Sequence, residues 1–284
     1  MKPKYPIYII SKGRAASGLT WKELRFLGIE HTIVVEDTEY DEYARHINNG
    51  SLLRLPFSNL GLGSTPARNY VFEHSVSRGN PKHWILDDNI SHFYRLNRNR
   101  KLRVGDGTIF RCAEDFVDRY ANVPVAGFNY EHLCIAIDRH RPFRINTRIY
   151  SCILIDNKMP LRWRGMYNED TDLSLRVLKS GMCTILFNAF LCNKTCTMRM
   201  SGGNTDNVYR GTHNRYEFAE SLRKMHPDVV KVTRKFGRWH HHVDYRPFKG
   251  NKLIKKDNAI QYTGVNNYGM RLERQSPGLD SKGT

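Results

Sequence analysis

Apolar residues fall in short runs with polar punctuation between them, and their spacing predicts alternating strands and helices. Residues 6–10, PIYII, read as a strand, TWKELRFLGI from Thr20 as a helix ending near Gly28, and HTIVVED as a second strand. A short helix over 38–47, a strand at SLLRLP and the loop FSNLGLGS come next. Thr65 followed by Pro66 predicts an N-cap and a first-turn proline, opening a helix through about Ser77. The run HWILDDNI, residues 83–90, then walks from Trp84, Ile85 and Leu86 straight into Asp87, Asp88 and Asn89. A short apolar run of this kind reads as a buried strand, and ligands of open α/β sheets collect at the carboxyl ends of such strands. Strand, helix, strand, helix, strand is the signature of a parallel α/β half, because parallel neighbours need crossover connections.

Beyond Asn89 the pattern changes. RLNRNRKLR, residues 95–103, reads as a basic loop, followed by a helix near 112–120 and strands around VPVAG, HLCIAI and RIYSCILI. Asn168 is positioned to cap a helix running to Ser180 with Gly181 past its end, and TILFNAFLC follows as a strand. A helix near 216–225 leads into residues 222–256, which carry 11 Lys or Arg against two Asp. From about residue 257 the polar tail has no periodicity and is expected to pack weakly. The expected organisation is a catalytic domain over 1–212, a basic extension over 213–256 packing on it, and a tail over 257–284.

Charge adds a partner to this picture. Forty-five Lys and Arg against 28 Asp and Glu leave a formal charge of +17, which attracts polyanions, and nucleic acid leads among them. The six cysteines are scattered through apolar contexts and read as reduced thiols of a cytoplasmic protein. Cys192 and Cys196 have the spacing of half a zinc site, but no second pair follows, so no zinc is expected. MKPKYPIYIISKGR reads as a first strand, since its apolar stretch is short and interrupted by Tyr8, and no 18-residue apolar run suggests a membrane span.

Two acidic clusters carry the candidate chemistry, Asp87-Asp88-Asn89 at a strand end and Asn168-Glu169-Asp170-Thr171-Asp172 at a helix start. Clustered oxygen ligands suit Mg²⁺ or Mn²⁺, particularly when a diphosphate completes the shell. Taken singly, the first also reads as a solvated turn and the second as acidic residues favoured by a helix dipole.

Their order narrows the choice. Gly61-Leu62-Gly63-Ser64-Thr65-Pro66-Ala67-Arg68-Asn69, a helix, WILDDN and, much later, NEDTDLSLRVLKSG resemble the nucleotide-sugar glycosyltransferases of GT-A fold. In that superfamily an Ala-Arg-Asn helix start precedes a strand ending in an Asp-X-Asp metal motif, and a later Glu-Asp pair opens the helix carrying the catalytic base. More narrowly, YPIYIISKGRA, VVEDTEYDEY, LGLGSTPARN and HWILDDNI resemble the phage DNA-modifying glycosyltransferases associated with TET-like oxygenases, over roughly residues 5–250. Those enzymes glycosylate 5-hydroxymethyl pyrimidines. The resemblance implies a GT-A-like α/β fold, with a central, mostly parallel mixed sheet flanked by helices and a basic C-terminal extension.

By the same resemblance, Asp170 is the general base and Glu169 orients it or the acceptor. Asp87 faces the ribose or the metal, while Asn89, with Asp88 as the other choice, meets a Mn²⁺ or Mg²⁺ bridging the diphosphate. Ser11, Arg14 and Glu36 lie where the fold places uracil and ribose, and Arg68 stands near the diphosphate or packs the sheet edge. Asn89 departs from the acidic second ligand of the superfamily and lowers the ligand charge. A late histidine often completes the metal shell there, which points to His241 or His242 in GRWHHHVDY, with His213 a weaker rival; solvated imidazoles or DNA contacts are the other readings.

The implied reaction moves a hexose from a UDP-sugar, UDP-glucose or UDP-galactose, to 5-hydroxymethylcytosine in DNA, with no obligate protein partner. RLNRNRKLR, DRHRPFRINTR and TRKFGRW, which set Arg and Lys beside aromatic rings, are the expected DNA-binding stretches. A polysaccharide or protein acceptor keeps the fold, and a two-metal nuclease would use the same carboxylates without explaining the motif order. A DNA-binding protein without catalysis explains only the charge.

Overall fold

The computed structural model describes residues 1–47, 51–134, 140–195, 215–235 and 237–257. Its centre is a ten-stranded mixed sheet in the order β3-β2-β1-β4-β9-β7-β10-β5-β6, with β8 (Phe143–Ile145) also paired to β10. The N-terminal strands β1 (Ile7–Ile10), β2 (Thr32–Val35), β3 (Ser51–Arg54) and β4 (Lys82–Asp87) are parallel to one another. Helices α1 (Thr20–Phe26), α2 (Tyr40–His46) and α3 (Thr65–Ser77) fall between successive strands, as parallel pairing requires. β9 (Cys152–Asp156) runs antiparallel between β4 and β7 (Val125–Tyr130), while β10 (Thr184–Lys194) is parallel to β7. β1–β4, β6, β7 and β10 therefore share one direction, and β5, β8 and β9 oppose it. The sheet is mixed and mostly parallel, as expected.

Alternation along the central strands builds two cores. Ile7, Ile9, Trp84 and Leu86 face α1 and α4 (Thr108–Val117), whereas Tyr8 and Ile85 face α3 and α5 (Glu169–Lys179). Trp84, Ile85 and Leu86 are fully buried, which suits a strand covered on both faces.

The basic stretch 95–103 is a hairpin rather than a loop. β5 (Ile90–Asn97) and β6 (Arg100–Arg103) pair antiparallel across a two-residue turn in which Arg98 and Asn99 take φ of 48° and 59°. Two successive positive φ values define the turn that matches strand twist, and Asn tolerates them. HLCIAI also departs from expectation, since Glu131–Leu133 is a 3₁₀ turn and 135–139 lie outside the described residues.

In the C-terminal part, α6 (Arg215–Met225) packs on a separate hairpin of β11 (Val230–Lys235) and β12 (Arg238–Val243). Leu222, Val230, Val243 and Phe248 bury against Leu175 and Leu178 of α5, fastening this hairpin to the helix that carries Asp170. His213, Cys196 and the tail from 258 onward lie outside the described residues. Among the described residues no helix is long and apolar enough to cross a membrane.

Candidate active site

The carboxyl ends of β1, β2, β4, β7 and β10 meet at one edge of the sheet, and β9, being reversed, begins there. The turn after β4 is clamped by the start of α1: Thr20 Oγ1 donates to the Asp87 carbonyl at 2.6 Å, and the Leu19 and Thr20 amides donate to the Asp88 carbonyl at 3.0 and 3.2 Å. The backbone under the acidic cluster is thus fixed from outside the cluster.

Arg68 joins the two acidic clusters. Its Nη2 donates to Asp87 Oδ1 at 3.1 Å and to Asp170 Oδ2 at 3.4 Å, and its Nε donates to Ser64 Oγ at 3.1 Å. Ser64 in turn donates to Glu169 Oε1 at 2.8 Å. Ser64, not Thr65, is the N-cap residue of α3, and its hydroxyl serves Glu169 instead of the helix amides. Gly63 suits this close approach, with φ of +65° and a Cβ there lying a crowded 3.0 Å from the Met166 carbonyl oxygen. Asn69 closes the seam, donating from Nδ2 to the Trp163 carbonyl and accepting the Trp163 amide at Oδ1, each at 2.9 Å.

Asp170 is buried, and its Oδ1 accepts the Trp163 indole N–H at 3.0 Å. Burial pushes its carboxyl up to about 7; Arg68 opposes the shift, and Glu169 and Asp87 add to it. Asp87 goes the other way. Burial disfavours its charge, but Lys194 and Arg68 outweigh burial and hold it at about 2. One carboxyl poised near neutrality thus stands beside one that is permanently ionised, a pairing suited to acid–base work.

Three groups here are not apparent from the sequence motifs. Lys194 Nζ donates to Asp87 Oδ2 at 2.6 Å and to Ser151 Oγ at 2.8 Å, and Ser151 Oγ donates to Asp87 Oδ2 at 2.7 Å. The Tyr130 hydroxyl lies 2.7 Å from Ser151 Oγ. A detectable signal existed for Lys194, a cation ending the long apolar strand TILFNAFLCNK at the ligand-binding edge.

The other expected donor-site residues are divided. Ser11 Oγ donates to Asp88 Oδ2 at 2.8 Å and lies 2.7 Å from the Tyr43 hydroxyl, while Arg14 Nη1 pairs with Asp88 Oδ1. Ser11, Arg14 and Asp88 are all buried, so they meet as one internal network beneath the edge. Glu36 accepts from Lys12 Nζ at 2.7 Å and from the Asn59 amide at 2.9 Å.

The expected metal ligands are not gathered into one shell. Among the described residues no group of three or more His, Cys, Asp or Glu is placed to hold a metal ion. Asp87 has both oxygens engaged, and Asn89 offers one buried, unpartnered Oδ1. His242 is exposed on β12; His241, half-buried, is pushed down to about 4 by burial and by the Arg148 guanidinium. A divalent ion held by one carboxylate, a diphosphate and water would need Asp87, whose Oδ2 already accepts from Lys194 and Ser151 and whose Oδ1 accepts from Arg68.

Asp172, in the same sequence cluster as Asp170, does structural work. Fully buried, it accepts from Arg164 Nη2 at 3.0 Å and Arg176 Nε at 2.8 Å, and pairs with His226 Nε2 at 2.9 Å, tying α5 to α6. Asp172→Ala is expected to cost about 3 kcal/mol in denaturant unfolding, because it removes a fully buried acceptor from the largely covered Arg176 and the buried His226, while the half-exposed Arg164 can turn to solvent. A loss under about 1 kcal/mol would contradict this role.

This edge, where paired carboxylates meet fixed cations, has the makings of a group-transfer site, and the chain is a glycosyltransferase. Residues 5–203 match the model of the TET-associated glycosyltransferases, and the chain belongs to that family. Its donor is accordingly a sugar nucleotide. No curated protein matches the chain. Among solved structures, a Desulfovibrio desulfuricans G20 protein described as a nucleotide-diphospho-sugar transferase aligns over 78% of this chain and 96% of its own, at 10% identity and a TM-score of 0.40.

Proposed function

We propose that this chain transfers a hexose from a UDP-sugar, UDP-glucose or UDP-galactose, to the hydroxyl of 5-hydroxymethylcytosine in DNA. The observation carrying the reading is Asp170, a buried carboxylate raised to about 7 and joined through Arg68 to Asp87. A hydroxymethyl oxygen attacks the anomeric carbon as its proton passes to Asp170, and a base titrating near working pH is effective in that step. Glu169, held by Ser64, orients the acceptor hydroxyl. Glu36 and Lys12 face the nucleoside end of the edge. A divalent ion, expected from the sequence as Mn²⁺ or Mg²⁺, would have to compete with Lys194 and Arg68 for Asp87.

DNA as the acceptor is supported by surface chemistry. Arg95, Arg98, Arg100 and Arg103 are exposed on the β5–β6 hairpin. On the other hairpin Trp239 is 42% exposed, with Arg234 over its ring at 5.9 Å and Tyr216 at 5.2 Å. Cations track phosphates, and exposed rings stack on bases that have left the helix. Arg148, which stacks on Tyr150 at 4.9 Å and influences His241, links this second hairpin to the site.

Incubating a panel of UDP-sugars with hydroxymethylcytosine DNA, followed by nucleoside mass spectrometry, tests donor and acceptor together. A hexosylated nucleoside is the expected product. Arg234→Glu with Arg238→Glu should raise the KM for DNA at least about tenfold, leave the KM for donor within about twofold, and flatten the salt dependence of DNA binding. Transfer to free nucleoside as fast as to DNA, independent of salt, would move a non-DNA acceptor ahead.

A further inference from the structure

Two fixed cations, Arg68 and Lys194, flank Asp87 at the carboxyl edge of the sheet. Arg68 is 3% exposed, and its Nη1 has no hydrogen-bond acceptor among the described residues, lying 3.3 Å from Asp170 Oδ1 without hydrogen-bond alignment. Lys194 is mostly covered, and Asp87 and Ser151 account for two of its three donors among the described residues. Its aim is built into the fold. The ladder between β10 and β5 slips between Asn193 and Lys194, where Asn193 opposes His92 and Lys194 opposes Ile90. Such irregularities redirect a strand-end side chain, and here the redirected ammonium reaches Asp87.

We propose that Arg68 and Lys194 together form a cationic cradle for the departing diphosphate, Asp87 holding the pair in place, so that donor binding and transfer need no divalent cation. The proposal rests on the sugar-nucleotide reading above. As the bond from the anomeric carbon to the diphosphate oxygen breaks, its electron pair stays on that oxygen, facing the partly exposed Lys194 side chain, with the buried Arg68 guanidinium adding its charge from behind Asp87. The acceptor oxygen forms the new bond to the anomeric carbon, and its proton goes to Asp170. Preorganised donors aimed at developing charge do the work that a Lewis acid does elsewhere. A dication entering at Asp87 would have to displace Lys194 and sit against two buried positive charges. The geometry therefore disfavours the ion the sequence motif suggests.

The test is isothermal titration of UDP, GDP, ADP, CDP and dTDP into the full chain, in EDTA and in Mn²⁺, for the wild type, Lys194→Gln and Lys194→Arg. The nucleotide that binds is expected to do so with affinities within about threefold in the two conditions. Lys194→Gln should weaken binding at least about tenfold, with Mn²⁺ giving no rescue, while Lys194→Arg stays within about fivefold of the wild type. Thermal melts report whether the variants fold, and if Lys194→Gln does not, the wild-type comparison of EDTA with Mn²⁺ decides alone. Binding that appears only with Mn²⁺, or a folded Lys194→Gln that binds like the wild type, overturns the cradle. Diphosphate binding in EDTA without any sugar reaching DNA leaves the cradle standing and removes the DNA acceptor. Failure of every nucleotide in both conditions removes the cradle and the sugar-nucleotide site together.

Discussion

Asp170→Asn is expected to lower turnover by about 10²–10⁴-fold while donor and DNA still bind, because the amide keeps the shape and cannot accept a proton. In the wild type the rate should climb with pH through about 7 and level off, since Asp170 must be ionised to act and burial, partly offset by Arg68, raises it to that value. Stability should move the opposite way. An Asp whose folded value lies above its ordinary 3.8 binds its proton more tightly when folded, so between about 4 and 7 the native state holds more protons than the unfolded chain. Stability contributed by this group is therefore present at low pH and lost as pH rises through that window. Asp170→Asn removes the ionisation and should be as stable as the wild type at pH 8, or more so. Pre-steady-state rates with paired unfolding curves check both statements. A variant turning over within a few-fold of the wild type would transfer the role of base to another group.

How far the sequence shows this arrangement depends on separation along the chain. The parallel half is visible because each strand carries its own signal: PIYII and HWILD are apolar on both faces, and Pro66 marks the start of α3. Asp87 and Asp170 are recognisable as strand-end and helix-start carboxylates. Their partnership through Arg68 is not, since it closes over 19 residues on one side and 102 on the other. Lys194 is less visible still, because it reaches Asp87 across 107 residues and only the slipped ladder aims it. Cluster membership also misleads. Asp88 and Asp172 stand in the same runs as Asp87 and Asp170, yet each is turned inward to its own partners, Arg14 for one and Arg164, Arg176 and His226 for the other. The hairpin at 95–103 reads as a loop for a different reason, since its turn uses Arg and Asn in the positive-φ positions where glycine is the usual signal.

Arg68→Met should be the most damaging single change at the site, abolishing measurable turnover and costing about 3–5 kcal/mol of stability near neutral pH. Only 4% of the Arg68 side chain is exposed, and it lies within 3.8 Å of Asp87, Glu169 and Asp170. Methionine fills much of the space but leaves those carboxylates facing one another with Lys194 as the remaining buried cation. Asp170 would respond by keeping its proton to higher pH, which removes the base as well as the cradle. That coupling separates electrostatic damage from lost packing. If charge is the cause, adding Asp170→Asn to Arg68→Met removes one of the stranded carboxylates and should recover at least about 1 kcal/mol relative to the sum of the two single changes. Arg68→Lys should fold better than Arg68→Met yet stay slow, because a single ammonium cannot reproduce the planar fork that reaches Ser64, Asp87 and Asp170 at once. Denaturant unfolding of the three variants and the double variant measures the cycle. Additive losses would assign the damage to packing and leave Arg68 as a sheet-edge residue with no part in joining the two acidic clusters.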